Sequence, residues 1–170
     1  MKPTPPGQTG KASLSSADNV DHPGVIAWPP LIFLGCAAAG GLLQFIFPLR
    51  VMKYSVSLLV SGVLALVSIS LAVWAVRVMK AAGTNVRPDR PALTMVRTGP
   101  YQFTRNPMYL SLGLLQLAVG FALDGWIPLL FTIPLVLILH FGVILREEHY
   151  LEAKFGEPYL TFKHEVRRWV

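Results

Sequence analysis

The chain has 170 residues, of which 53% are hydrophobic and only 14% are charged, and its net charge is +6. Soluble domains normally carry about a quarter charged residues, so this composition excludes an ordinary soluble domain. The charged residues fall in blocks, and the uncharged runs between them approach the roughly 20 residues that a helix needs to cross a bilayer. We therefore predict an all-α integral membrane protein with about four transmembrane helices. The predicted spans are residues 25–49, 54–76, 108–123 and 126–145.

The N-terminal segment differs from the rest of the chain in composition. Residues 1–24 are rich in Pro, Gly, Ser and Asp and lack the apolar core of a signal peptide. This composition predicts a disordered cytoplasmic tail, followed by one membrane domain over residues 25–170. The single cysteine, Cys36, lies in the first span, so no intrachain disulfide is possible.

The spans carry different packing signals. The small-residue patch between Gly35 and Gly41 favours close helix packing over a cofactor surface, and the second span, mainly Val, Leu and Ser, is predicted to be a scaffold. Asp124-Gly125 is a turn signal, so the third and fourth spans should form an antiparallel hairpin. Pro134 should kink the fourth span or leave a carbonyl free.

Cations flank the spans asymmetrically. Six lie in the connection between the second and third spans, and five more follow the fourth. Positive residues next to spans mark the cytoplasmic side, so we predict that both termini and the long connection face the cytoplasm. Arg50 and Lys53 in the first loop oppose this orientation but are outnumbered. The distribution argues against nucleic-acid binding, because the basic face would lie against lipid headgroups.

Two polar segments should meet at that face. Residues 97–109 lead into the third span and residues 146–159 leave the fourth, and both are rich in ionisable and aromatic side chains. Anchoring alone would need only a few such residues, so paired carboxylates beside arginines and tyrosines predict a functional site. The four His and one Cys show no metal-ligand spacing, and no dinucleotide-binding glycine motif occurs. We predict no metal site.

Polar residues inside the spans have more than one interpretation. His140 lies seven positions before Glu147, which would place both on one helical face. A functional role for His140 and a hydrogen bond between helices are equally compatible with this position. Gln116 is better explained by hydrogen bonding between helices.

The order of the polar motifs resembles the isoprenylcysteine carboxyl methyltransferase family, which belongs to a wider group with integral-membrane phospholipid methyltransferases. The resemblance covers roughly residues 54–168. The matching segments are 83–84 with Pro88, 93–96, 98–101, 105–109, 147–148, 155–159 with Phe162, and 166–168. The resemblance implies methyl transfer from S-adenosylmethionine to a lipophilic acceptor that arrives from the bilayer. It also implies a cytoplasmic cofactor pocket formed by the second long connection, the last hairpin and the C-terminal helix.

Site residues follow from the resemblance position by position. Asn106 stands where the family usually has His, and Asn cannot titrate. The family's substrate-binding arginine falls at Val143 in a gapless match, so Arg146 is the nearest substitute. We therefore predict Arg146 and Glu147 as catalytic residues. The predicted cofactor-binding residues are Leu93, Thr94, Met95, Val96, Tyr101, Arg105, Asn106, Pro107, Met108, Tyr109 and Glu147.

The chemistry of S-adenosylmethionine suits these side chains. Glu147 can bind its ammonium or a ribose hydroxyl, Arg105 or the amides near Pro107 can bind its carboxylate, and the ring of Tyr101 or Tyr109 can stabilise its sulfonium. No enzyme nucleophile is needed, because positioning and exclusion of water supply most of the rate.

Three interpretations of the acceptor and the activity stay open. The preferred acceptor is a prenylcysteine-type carboxylate, oriented by Arg146. The first alternative is a phospholipid headgroup amine, which must lose a proton, so that Glu148, His149 or His140 would matter. The second is a non-enzymatic membrane protein that retains the fold.

Overall fold

The computed structural model describes residues 23–169, so almost all of the predicted tail at residues 1–24 lies outside the described residues. Within that range the chain is helical and contains no β-strand, which confirms the all-α prediction. The helices are α1 (Pro29–Ile46), α2 (Tyr54–Ala81), α3 (Pro107–Ala122), α4 (Trp126–Phe155) and α5 (Glu157–Glu165), with a short 3-10 turn at Gly99–Gln102. The division into a tail and a membrane domain stays a prediction.

Three helices, α1, α2 and α4, are long and apolar enough to cross a membrane, and α3 is an apolar helix of 16 residues. Large apolar side chains such as Leu34, Phe45, Leu59 and Leu66 lie exposed on the outer faces of α1 and α2, where lipid would cover them. The prediction of a multi-pass membrane protein is therefore confirmed. Helix α2 continues beyond the predicted end at residue 76 and carries the cations of its last turns out of the apolar region.

Helix α4 is continuous but irregular. Its segments are Trp126–Leu130, Thr132–Leu139, a π-helical turn at His140–Ile144, and Leu145–Phe155. The first interruption falls at Phe131, because Pro134 has no N–H to donate to the carbonyl of Leu130. The π turn adds a residue to the helix and changes the direction in which the residues after it project.

A row of serine hydroxyls fixes α2 against α3. Each hydroxyl donates to a backbone carbonyl of α3 over 2.7 or 2.8 Å. The bonded pairs are Ser57 with Phe121, Ser61 with Ala118, and Ser68 with Ser111. Such bonds stabilise helix pairs in a membrane without exposing polar groups to lipid. They set the register that brings the start of α3 beside the end of α2.

The hairpin between α3 and α4 forms as predicted, with Asp124 at a positive φ of 44°. The buried Asp124 carboxylate accepts hydrogen bonds from the amides of Val51 and Met52, so this turn also holds the loop between α1 and α2. Gln116 donates to the carbonyl of Pro128 over 3.0 Å, which confirms its role in hydrogen bonding between helices.

Glycine allows a close helix contact of α1 with α4. A Cβ atom at Gly40 would lie 2.9 Å from the Cα atom of Pro128, whereas a Cβ at Gly35 would meet open space. The predicted packing role of the small-residue patch is therefore confirmed at Gly40.

Two apolar clusters support the end of the bundle where the polar segments meet. One joins α1, α3 and α4 and includes Phe33, Tyr109 and Val143. The other joins α2 to the C-terminal helix and includes Tyr101 and Phe162. The two clusters bring the start of α3, the end of α4 and α5 around one space.

Candidate active site

A cleft opens between these elements at the cation-rich end of the bundle. Its walls come from residues 84–88, 90, 92 and 94–96 of the connection between α2 and α3, from residues 105–109 at the start of α3, and from residues 147, 148, 150 and 151 of α4. Pro23, Met79, Tyr101, Tyr159 and Phe162 complete the lining. Most of the predicted site residues line this cleft. They are Thr94, Met95, Val96, Tyr101, Arg105, Asn106, Pro107, Met108, Tyr109 and Glu147.

Two predicted site residues lie outside the cleft. Leu93 is exposed, and only its backbone N–H is engaged, by the hydroxyl of Thr84. Arg146 is also exposed, and its Nη1 donates to the carbonyl of Gly24 over 2.9 Å. The structure therefore does not bring Arg146 together with Glu147, because consecutive residues of a helix project in directions about 100° apart.

The position matched to the family's substrate-binding arginine is also apolar here. Val143 is fully buried and packs against Phe33, Tyr109 and Leu139 in the core. Val143 and Arg146 thus leave the cleft without a guanidinium from this part of α4.

Glu147 is one of the two carboxylates that line the cleft, with Glu148. The hydroxyl of Tyr109 lies within hydrogen-bonding reach of it, and Tyr101 lies close enough to feel its charge. Among the residues that the structure describes, no cation forms an ion pair with Glu147. A carboxylate set against tyrosines without a countercharge is suited to bind a cationic or hydroxyl group of a ligand.

Glu148 has the opposite environment. Its side chain is only 6% exposed, and it accepts two hydrogen bonds from Arg168, of 2.8 and 2.7 Å. The Nη1 of Arg105 lies 3.0 Å from the same carboxylate. The bonds to Glu148 also raise the pKa of Arg168 above its usual value. Glu148 therefore joins α4, the start of α3 and the C-terminal segment, and its charge is already satisfied.

Arg105 is the buried cation of the cleft. Its side chain is 8% exposed, and although Nη1 is near Glu148, neither Nε nor Nη1 has a hydrogen-bond acceptor among the described residues. Buried donors without an acceptor cost free energy, and donors on a guanidinium suit a carboxylate or phosphate. Arg105 therefore has free capacity for an anionic group.

The C-terminal segment is bonded to the residues just before α3, which form one wall of the cleft. The amide of Asn106 donates to the carbonyl of Arg168 over 3.0 Å, and the hydroxyl of Thr104 donates to the same carbonyl over 3.1 Å. The backbone N–H of Arg105 donates to the carbonyl of Arg167. The side-chain amide of Asn106 therefore holds the C-terminal segment in place, and this bond does not depend on a titratable group.

Burial keeps the tyrosines of the cleft protonated. It raises the pKa of Tyr159 to about 12, and burial together with the negative charge of Glu147 raises the pKa of Tyr101. Both rings therefore present neutral, electron-rich faces.

His140 lies away from the cleft. Its ring stacks on Trp169 at a centroid distance of 6.4 Å and an interplanar angle of 22°. Because the π turn begins at His140, the seven-residue spacing no longer places this side chain with Glu147. The His140 side chain is engaged through this ring contact and forms no hydrogen bond to another helix among the described residues, so its role stays a prediction.

The sequence did not single out three residues that shape the site. Arg168 belongs to the matching segment 166–168, but its bond to Glu148 spans 20 residues and has no local signal in the sequence. The hydroxyl of Thr84 and the ring of Tyr150 line the cleft as well. A Thr directly after a helix-ending Gly is only a weak sequence signal that its hydroxyl will bind the backbone of the following loop.

Comparisons with known proteins give a family match and a relative of shorter length. The model of the family described as "Phospholipid methyltransferase" matches residues 56–158. A protein of Haemophilus influenzae, described as "Uncharacterized protein", is 44% identical over 63 residues, which are 37% of this chain and 100% of that protein. No solved structure matches. The matched range includes most of the cleft and ends before Arg168.

Proposed function

This chain belongs to the phospholipid methyltransferase family, and on that premise we propose that its cleft binds S-adenosylmethionine for methyl transfer to a lipophilic acceptor. The observation that carries the proposal is a carboxylate without a countercharge that shares one cleft with a guanidinium whose donors are not all used, although Arg105 also pairs with Glu148. Glu147 has no countercation among the described residues, and Arg105 has buried donors without acceptors.

The charges of the cleft match those of S-adenosylmethionine. The free donors of Arg105 suit its carboxylate, and Glu147 suits its ammonium or a ribose hydroxyl. The neutral ring faces of Tyr101 and Tyr109 suit its sulfonium, since a cation is attracted to an aromatic face. Met95, with other apolar side chains of the lining, suits its adenine.

The residues of the cleft act by binding and orientation. When bound, S-adenosylmethionine supplies a methyl group on a positively charged sulfur. Arg105 and Glu147 hold the two ends of its amino-acid part, and the tyrosines exclude water from the reacting side. Holding both reactants in line is the main source of rate in such transfers. The proposal assigns no nucleophile to the protein.

The acceptor that the cleft suits best is a phospholipid headgroup amine. Arg90 lines the cleft and is exposed, and its side chain forms no hydrogen bond or ion pair among the described residues, although Asp89 lies close enough to feel its charge. It can meet the phosphate of a headgroup whose amine extends inward. Val143 and Arg146 supply no cation to the cleft for a carboxylate acceptor. The amine reacts only without its proton, so transfer should rise with pH.

A prenylcysteine-type carboxylate is the second candidate. The observation in its favour is Arg105, whose free donors would serve an acceptor carboxylate as well as that of the cofactor. Glu148 is held by two arginines and His149 is exposed outside the lining, so the proposal gives neither of them a proton-transfer role.

The test is methyl transfer from labelled S-adenosylmethionine by purified protein in nanodiscs. Phosphatidylethanolamine and a prenylcysteine analogue are offered separately. We expect transfer to phosphatidylethanolamine, and we expect Arg90→Ala to lower it severalfold while cofactor binding is retained. Arg77→Ala is the matched control, because Arg77 is exposed and lies outside the cleft.

Other outcomes separate the remaining candidates. Transfer to the prenylcysteine analogue alone would support the carboxylate acceptor. Absence of both transfer and cofactor binding would support a non-enzymatic protein.

A further inference from the structure

The connection after α2 contains a loop that is closed on itself. The buried hydroxyl of Thr84 accepts hydrogen bonds from the amides of Leu93 (3.0 Å) and Thr94 (3.3 Å). The side chain of Asn85 donates to the carbonyl of Pro91 over 2.8 Å. Residues 84–94, named here the 84–94 loop, therefore keep their shape through their own bonds, as compact surface loops do.

The 84–94 loop forms one wall of the cleft and contacts other elements through Arg87 and Ala92. The amide of Ala92 donates to the hydroxyl of Tyr150 in α4 over 3.2 Å. Lys154 donates to the same hydroxyl over 2.9 Å and lies over the ring of Tyr150. The guanidinium of Arg87 lies 5.9 Å from the ring centroid of Trp28 at the start of α1.

We propose that Tyr150 is a positioning residue that holds the 84–94 loop closed over the cofactor, and that release of this contact opens the cleft. The identity of the cofactor rests on the proposed function. Tyr150 lines the cleft and its hydroxyl accepts a hydrogen bond from the loop, so one residue joins the two walls.

The geometry suits movement of the 84–94 loop as a rigid unit. The bonds within the loop do not involve α4, so the loop can swing without losing its shape. Gly83, just before it, has a φ of 71° and open space around its Cα, so the backbone can rotate there without a clash. One ordinary hydrogen bond changes an equilibrium by about fivefold. A contact of that strength is reversible on the timescale of turnover.

The test compares Tyr150→Phe with Tyr54→Phe. Phe keeps the ring and removes only the hydroxyl, and Tyr54 is an exposed tyrosine of α2 outside the cleft. Hydrogen exchange is measured on the ligand-free protein. We expect the amides of the 84–94 loop to exchange about fivefold faster in Tyr150→Phe and at the wild-type rate in Tyr54→Phe. Unchanged exchange in Tyr150→Phe would overturn the proposal.

Cofactor binding and turnover supply the second arm. We expect the Kd for S-adenosylmethionine to rise about fivefold in Tyr150→Phe, with kcat within about twofold of wild type. A fall in kcat at unchanged Kd would contradict a positioning role. Thr84→Val should loosen the loop further, and Thr84→Ser, which keeps the acceptor oxygen, should restore it. If wild-type protein binds no S-adenosylmethionine, the proposed function fails, and the ligand-free exchange still decides whether Tyr150 holds the loop.

Discussion

Substitution by Gln should have different effects at the two adjacent carboxylates of α4. We expect Glu148→Gln to lower the free energy of unfolding and Glu147→Gln to lower the affinity for the ligand. Glu148→Gln removes the negative charge from a side chain that is 6% exposed and lies between Arg105 and Arg168. Breaking a buried ion pair costs about 3–5 kcal/mol, because it leaves uncompensated charge. Arg168 is 30% exposed and can be rehydrated, so we expect a loss near the lower end, about 3 kcal/mol.

Glu147→Gln should leave the fold intact and weaken ligand binding. Glu147 pairs with no cation among the described residues, and the hydroxyl of Tyr109 can still donate to an amide oxygen. We expect a stability change below about 1 kcal/mol. A charge-assisted hydrogen bond contributes roughly 1.5–3 kcal/mol, so the affinity for S-adenosylmethionine should fall about tenfold or more.

Two measurements on each variant separate these effects. The free energy of unfolding is taken from reversible denaturation in mixed detergent micelles, and the Kd from equilibrium dialysis with labelled S-adenosylmethionine. Glu157→Gln, in the exposed first turn of α5, is the control for a lost negative charge. Equal losses of stability for Glu147→Gln and Glu148→Gln, or wild-type affinity in Glu147→Gln, would refute the division of roles.

Three further predictions concern the acceptor, the bundle and the orientation. Arg146→Ala should leave transfer to phosphatidylethanolamine within about twofold, because this guanidinium lies outside the cleft; selective loss of transfer to a prenylcysteine analogue would instead support its predicted catalytic role. Ser61→Ala should lower the free energy of unfolding by about 0.6 kcal/mol, the average for a hydrogen bond between membrane helices, and no change would contradict a stabilising role for the serine row. In a Cys36→Ala background, an impermeant thiol reagent added to intact cells should label Lys53→Cys but not Lys80→Cys; the reverse pattern would overturn the predicted orientation.

The spans and the turns were predictable because their signals are local. A long uncharged apolar run identifies a membrane helix from its own composition. Asp124-Gly125, between two such runs, predicts a turn. Pro107 similarly marks the first turn of α3. The motif on either side of Pro107 then places Arg105 and Tyr109 at the cleft, because a helix start fixes the residues around it.

The direction of side chains on α4 was not predictable in the same way. The π turn at His140–Ile144 changes which residues face the cleft, and it has no clear sequence signal. Glu147 and Glu148 are chemically identical, and the two arginines that fold against Glu148, Arg105 and Arg168, decide which one is neutralised. Contacts of this range depend on tertiary packing, so the sequence does not reveal that Arg146, the nearest substitute for the family's arginine, lies outside the cleft.

The most direct test of the central claim is ultraviolet cross-linking of labelled S-adenosylmethionine to the wild-type protein in nanodiscs, followed by mapping of the labelled peptides. The cleft proposed as the cofactor site predicts saturable labelling within residues 84–109 or 147–162, suppressed by S-adenosylhomocysteine and weakened in Glu147→Gln. Absence of saturable labelling, or labelling confined to residues outside both segments, would contradict it.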